Sequence, residues 1–306
     1  MLEKENIKYL FRELNQRFDK SELSDLLEVS RKTLSSATER GDIVLYDLVH
    51  ISEKLNIAVE NILSQNYDLP VACNYIEGEK QTLPNRYNRC FSSRIRTIKS
   101  ALSLLGKMSK QNQDFLLRKF QLTPEILENE DELIGGQLLL DIYSYVDSQP
   151  IFSGKKVFEI LGHSASDAFK GSELAGHLKN YSGAKEALEY FIEELTPIVE
   201  TNQDYKIHKS DSNSIIFSHN VKDSISESLQ TEHYGGPNMD LHIKSWFSNF
   251  TTFIGLQPVE VKKRSCVQDG DSTCKYELYF PQTFWKQRFF GPKHSDTPQW
   301  HQGSLG

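Results

Sequence analysis

The chain has 306 residues, a formal net charge of −7, 38% hydrophobic residues and four cysteines. That length suffices for more than one folding unit, and the composition excludes disordered, collagen-like and disulfide-scaffold classes. No apolar run is long enough to cross a bilayer, and the N-terminal MLEKENIKYLFRELNQRF is charged and amphipathic rather than a secretory signal. The expectation is a cytoplasmic protein without a membrane partner and with reduced thiols, apart from one cysteine pair taken up below.

The first informative stretch in chain order is 21–63. Leu23, Leu26 and Leu27 recur at helical spacing, and Val29-Ser30 breaks the run. Ser30 is placed to cap a second helix through Thr33 to Thr38, which Gly41 ends. Leu45, Leu48, Ile51 and Leu55 then form the apolar stripe of a third helix. Two short helices with a tight turn between them can place the second in a DNA major groove. The segment resembles the Xre/Cro-like helix-turn-helix family through Leu23, Val29-Ser30, the polar Arg31-Lys32-Thr33-Leu34-Ser35-Ser36 and the closing Glu39-Arg40-Gly41. It departs from the family at the turn, where Glu28 replaces the usual glycine. The resemblance implies a homodimer on double-stranded DNA, with Ser30, Arg31, Lys32, Thr33, Ser35, Ser36 and Arg40 at the contact. Charge pulls the other way. Residues 1–64 hold nine Lys and Arg against twelve Asp and Glu, a net of −3. Phosphate attraction supplies much of DNA affinity, so a protein-interaction adaptor without DNA binding is the competing reading.

Residues 64–85 read as a linker, because two prolines and scattered polar residues break any period. The domain reading is 1–66 for the helix-turn-helix, 67–91 for the linker, 92–282 for a ligand-sensing domain and 283–306 for a basic-aromatic tail. Stretch 86–110 carries Arg86, Arg89, Arg94, Arg96, Lys99, Lys107 and Lys110 and no acid, a charge of +7. It either tracks DNA phosphates or meets acids of its own or a second subunit. Helices are expected over Ser92 to Lys107, from a cap at Asp114, from Thr123-Pro124, and over Ala184 to Val199. YKIHKSDSNSIIFSHN reads as a hairpin turning at Asp211-Ser212-Asn213, and Pro258 to Arg264 and Lys275 to Phe280 as two further strands. The fold class expected is an all-α N-terminal helix-turn-helix domain plus an α+β C-terminal sensor domain.

Two patterns carry further resemblances. FLLRKFQLTPEILENEDELIGGQLLLDIYSYV, residues 115–146, looks like the arabinose-binding-type sensor of AraC-family regulators. Cys266-Val-Gln-Asp-Gly270-Asp-Ser-Thr-Cys274 with the aromatic strand after it resembles the 4-vinyl-reductase-like domain that also senses phenols. That resemblance implies zinc on the two hairpin cysteines, a glutamate three residues before the first, and a cysteine on the preceding helix. Here Lys263 takes the glutamate position and the helix has no cysteine, with Asp240, His242 and Glu260 nearby. Four ligands are the norm for structural zinc. Cys266 and Cys274 therefore read as zinc ligands, as two thiols flanking a turn, or as a reversible disulfide, and no other cofactor is expected. A sensor of this class binds a small apolar or aromatic ligand, for which the candidates are Trp246, Phe247, Phe250 and Phe253 on one helix; Gly235-Gly236-Pro237 before it suggests an entrance loop. No phosphate-binding loop, zinc-protease motif or nucleophile elbow is present, and the histidines are scattered. The expectation is a one-component transcriptional regulator rather than an enzyme, with a vinyl-reductase-type enzyme as the remaining alternative.

Overall fold

Caps and left-handed stops in the sequence divide the first 76 residues into six short helices: α1 (Leu2–Arg17), α2 (Lys20–Leu27), α3 (Arg31–Arg40), α4 (Leu45–Lys54), α5 (Val59–Ser64) and α6 (Leu69–Ile76). The computed structural model describes residues 2–106, 110–148, 156–170, 173–178, 180–181, 183–231, 238–254 and 257–280. Asp19 caps α2 by accepting from the amides of Ser21 and Glu22 at 2.8 and 2.9 Å, and Ser30 caps α3 by accepting from the Thr33 amide at 3.0 Å. Glu28, at φ 54°, ends α2 in the left-handed region at a cost of about 1 kcal/mol relative to glycine. Its carboxylate is held by Lys54 at 2.5 Å. Gly41 ends α3 at φ 66°, and a Cβ there would lie 2.2 Å from the Lys4 carbonyl oxygen, so no other residue fits. Leu10, Phe11, Leu14, Leu23, Leu27, Leu34, Ile51 and Leu55 are fully buried in one hydrophobic cluster, each contributing about 2 kcal/mol.

Residues 67–91, expected as a linker, carry α6 and a 3₁₀ turn at Asn85–Tyr87. Pro70 lies in the first turn of α6, where its missing N–H is no loss. Ala72 and Cys73 join the first cluster, and Leu83 and Tyr87 join a second.

The second cluster is built from helices and two small sheets. β1 (Phe91–Arg94) pairs antiparallel with β2 (Leu133–Gly135), so the helix expected from Ser92 starts later, as α7 (Ile95–Gly106). Next come α8 (Lys110–Phe120), which begins upstream of the expected cap Asp114, α9 (Pro124–Glu128) and α10 (Gly136–Ser148). α11 (Lys156–Lys170) and α12 (Glu173–Leu178) lead to α13 (Ala184–Tyr190), which runs through a π-helical turn at Phe191–Leu195 into α14 (Thr196–Val199). β3 (Gln203–Ser210) and β4 (Ser214–Val221) turn at Asp211, whose carboxylate accepts from the amides of Asn213 and Ser214 at 2.9 and 2.8 Å. α15 (Asp223–Leu229), α16 (Met239–Phe250), β5 (Glu260–Ser265) and β6 (Cys274–Tyr279) complete the described chain. The larger sheet is antiparallel throughout, in the order β3-β4-β6-β5. The architecture is thus mixed α and β. α11 packs along α16, and a Cβ on Gly162 would come within 2.3 Å of the His242 carbonyl oxygen.

The two clusters meet through hydrogen bonds. The Ala58 amide donates to the Arg118 carbonyl at 3.2 Å, Asn56 to that of Leu122 at 2.9 Å and Asn61 to that of Lys119 at 2.5 Å. Gln121, fully buried and at φ 51°, exchanges two hydrogen bonds with the Asp68 backbone at 2.5 and 2.9 Å. No helix among the described residues is long and apolar enough to cross a membrane. The 283–306 tail, Lys107 and Gly235-Gly236-Pro237 lie outside the described residues.

Candidate functional site

On α3, Leu34 and Ala37 are buried in the first cluster, which fixes the opposite face outward. Arg31 and Ser35 form one i,i+4 row, and Lys32, Ser36 and Arg40 the next. Ser30, Arg31, Lys32 and Arg40 are exposed, while Thr33, Ser35 and Ser36 are half-buried. Arg31 donates to the Ser21 hydroxyl, Arg40 to that of Ser36 at 3.1 Å, and the Thr33 hydroxyl to Asp47 at 3.4 Å. Lys32 has no polar partner among the described residues. Beside this face, Val44, Leu45 and Tyr46 at the start of α4 are 63, 71 and 80% exposed.

The basic stretch 86–110 is largely committed within the chain. Pairing of β1 with β2 brings the acids that precede β2 alongside it. Arg96 pairs with Asp131 and Lys99 with Glu130 at 2.6 Å, Arg94 donates to the carbonyls of Asp131 and Ile198, and Arg86 to Asn66.

The aromatic stripe of α16 belongs to the core. Phe247 and Phe250 are buried, with Phe250 centred 4.2 Å from Phe191 and Phe247 4.6 Å from Phe217; half-buried Trp246 lies 5.9 Å from Phe191. Phe253 is in the 3₁₀ turn after α16, and its side chain is outside those described.

A cleft of about 560 Å³ opens at the N-terminal end of α16, where Met239, Asp240 and Ile243 meet the ends of β4 and β6 and the 266–274 turn. No member of the aromatic stripe lines it. Alternation along β4 puts Ile215, Phe217 and His219 on one face, opposite Leu278, Tyr276 and Cys274 of β6. His219 therefore ends an apolar row. Its ring lies between Tyr205 and Tyr276, with centroids 5.8 and 5.4 Å away. His219 and Tyr276 are 8 and 0% exposed, both line the cleft, and neither Nε2 of His219 nor the Tyr276 hydroxyl has a hydrogen-bond partner among the described residues. Burial pushes the His219 pKa down to about 4, so the imidazole is neutral near pH 7.

Cys266 and Cys274, both on the cleft wall, are bonded to each other as a disulfide, and the Val267 amide donates to the Cys274 sulfur at 3.3 Å. Bonded sulfurs are not the thiolates that zinc requires. Lys263 carries an ammonium where the resemblance implies a ligand. It bridges Asp269 of the turn at 2.7 Å and Asp240 of α16 at 3.3 Å, and these carboxylates raise its pKa, Asp269 foremost. Among the described residues no three His, Cys, Asp or Glu side chains gather to hold a metal. The zinc set does not fit, because a fixed cation already ties the helix to the hairpin. Sequence reasoning missed His219 and Tyr276; the period of two in SIIFSHNV carried the signal for the first, since it places His219 where a third apolar residue is due.

No family model matches the chain, and no curated protein matches it. Among solved structures it is similar to a point mutant of an Fe(II) unliganded H-NOX protein from K. algicida, at 12% identity over 63% of this chain and 100% of that one, with a TM-score of 0.46. It is also similar to a trafficking protein particle complex subunit 3 from Naegleria fowleri covalently bound to palmitic acid, at 10% identity over 48% of this chain and 95% of that one, with a TM-score of 0.36.

Proposed function

We propose that the protein is a cytoplasmic one-component transcriptional regulator. It binds double-stranded DNA as a homodimer through α2 and α3 acting as a helix-turn-helix, under control of a small molecule held by the second cluster. The observation that carries this reading is the outward face of α3, where Arg31, Lys32 and Arg40 stand exposed beside three hydroxyls on a helix whose other side is locked in the core. Such a face suits phosphate and base-edge contacts. The ligand site is the cleft at the 266–274 hairpin rather than the aromatic stripe. Its occupancy is relayed from α16 through α11, α7 and α8 to the hydrogen-bonded joint with α4–α6, as a shift between two arrangements of that joint.

The test is binding of the full-length protein to fragments of its genome across a salt series. Affinity should fall steeply with salt, and Lys32→Ala should weaken binding and lower the salt slope by about one. Unchanged DNA mobility at low salt in the presence of cell extract would contradict the reading. The adaptor alternative draws on Val44, Leu45 and Tyr46, whose exposure suits a protein partner, and on the acidic balance of residues 1–64. Under it, Tyr46→Ser abolishes capture of a protein and Lys32→Ala changes nothing.

A further inference from the structure

We propose that the cleft beside the Cys266–Cys274 hairpin takes a small organic amine, its ammonium toward Asp223, Asp271 and the His219 Nε2 and Tyr276 hydroxyl, and its apolar body along Met239 and Ile243. Among the described residues the lining holds Asp223, Asp240 and Asp271 and no lysine or arginine. Lys263 and Lys244, at 3.3 and 3.6 Å, fix Asp240 and offset its charge from outside the lining. Asp271 accepts from the Cys266 amide at 3.0 Å through one oxygen. Asp223 and Asp271 leave the cleft net negative, which disfavours phenolates, fatty acids and nucleotides alike.

An independent observation marks the cleft as a binding site. Buried polar groups in folded proteins are almost always hydrogen-bonded, yet the His219 Nε2 and the Tyr276 hydroxyl are both buried on the cleft wall without a partner among the described residues. A ligand with hydrogen-bonding groups would satisfy them. The neutral imidazole contributes no opposing charge. Met239 and Ile243 supply the apolar floor for the rest of the molecule.

This inference rests on the sensor reading for its consequence but not for binding itself. Calorimetric titration of the full-length protein with phenethylamine, with 2-phenylethanol as its neutral counterpart and phenylacetate as its anionic one, tests it. The amine should saturate one site per chain and bind at least tenfold tighter than the alcohol, with no saturable binding of phenylacetate. Tyr276→Phe removes an unpartnered buried hydroxyl, so it should leave the melting temperature unchanged or raised while weakening the amine several-fold. Asp223→Asn, on an exposed position, should also weaken it and narrow the preference over the alcohol. Phenylacetate binding as tightly as the amine, absence of saturation by the amine, or amine affinity unaltered in both variants would overturn the proposal. Amine binding without any change in DNA affinity would leave the cleft assignment standing and remove the sensor reading. DNA binding with no amine binding would do the reverse.

Discussion

His219 occupies a position that the alternation of β4 reserves for an apolar side chain, and His242 packs edge-on against Tyr143 at 5.6 Å. Burial pushes both imidazoles from 6.5 down to about 4. Between those values the unfolded chain binds two protons that the folded chain does not, so stability falls as pH drops below 6.5. Glu200 acts oppositely. Burial raises its pKa from 4.5 to about 7, so the folded chain keeps a proton that the unfolded chain loses, and stability falls as pH rises through that interval. The net difference is one proton, and unfolding free energy should rise by about 1 kcal/mol per pH unit between about pH 5 and about pH 6.5. Urea unfolding at those two values checks it, and replacing both histidines by glutamine should reverse the sign. None of this was legible in the spacing of the histidines along the chain, since burial depends on which strands and helices close over them. The left-handed turn at Glu28 was legible through the helix-turn-helix resemblance, which places a glycine at that position.

Local elements were read well where their signals are local. Ser30 and Gly41 bound α3, Asp211 turns the β3–β4 hairpin, and the stretch from Ala184 to Val199 is helical with a π turn inside. Elements that depend on distant partners were not. β1 exists because Leu133–Gly135 pairs with it, and the same pairing turns a +7 stretch into the partner of Glu130 and Asp131. The aromatic period of α16 predicts a face but cannot say whether it looks into a cleft or onto Phe191 and Phe217. At the 266–274 hairpin the disulfide closes a short loop with a sequence separation of 8. Loop-closure entropy gives it up to about 2.5 kcal/mol. Cys266→Ser should lower the urea midpoint accordingly, and dithiothreitol should lower that of the native chain to the same value while leaving the variant unchanged. Equal midpoints with and without reductant would show that the bond adds nothing.

At the scale of the whole molecule, the two hydrophobic clusters are joined by amide groups rather than by a shared apolar core. Asn56, Asn61 and Gln121 are buried and grip backbone carbonyls or amides across the boundary, with Lys119–Glu60 at 2.5 Å on its rim. Replacing Asn61 by Leu leaves the Lys119 carbonyl without its donor and should cost about 1–3 kcal/mol. It should also uncouple the clusters, so that a ligand in the cleft still binds but no longer changes DNA affinity. Thermal unfolding and paired titrations on the same variant separate the two effects. The central claim is that the outward face of α3 meets DNA, and DNA affinity of the full-length protein measured across a salt series tests it most directly. The account predicts steep loss of affinity with salt, a shallower slope in Lys32→Ala and a further loss when Arg31→Ala is added. Affinity that is absent at low salt, or that is indifferent to both substitutions, would contradict it.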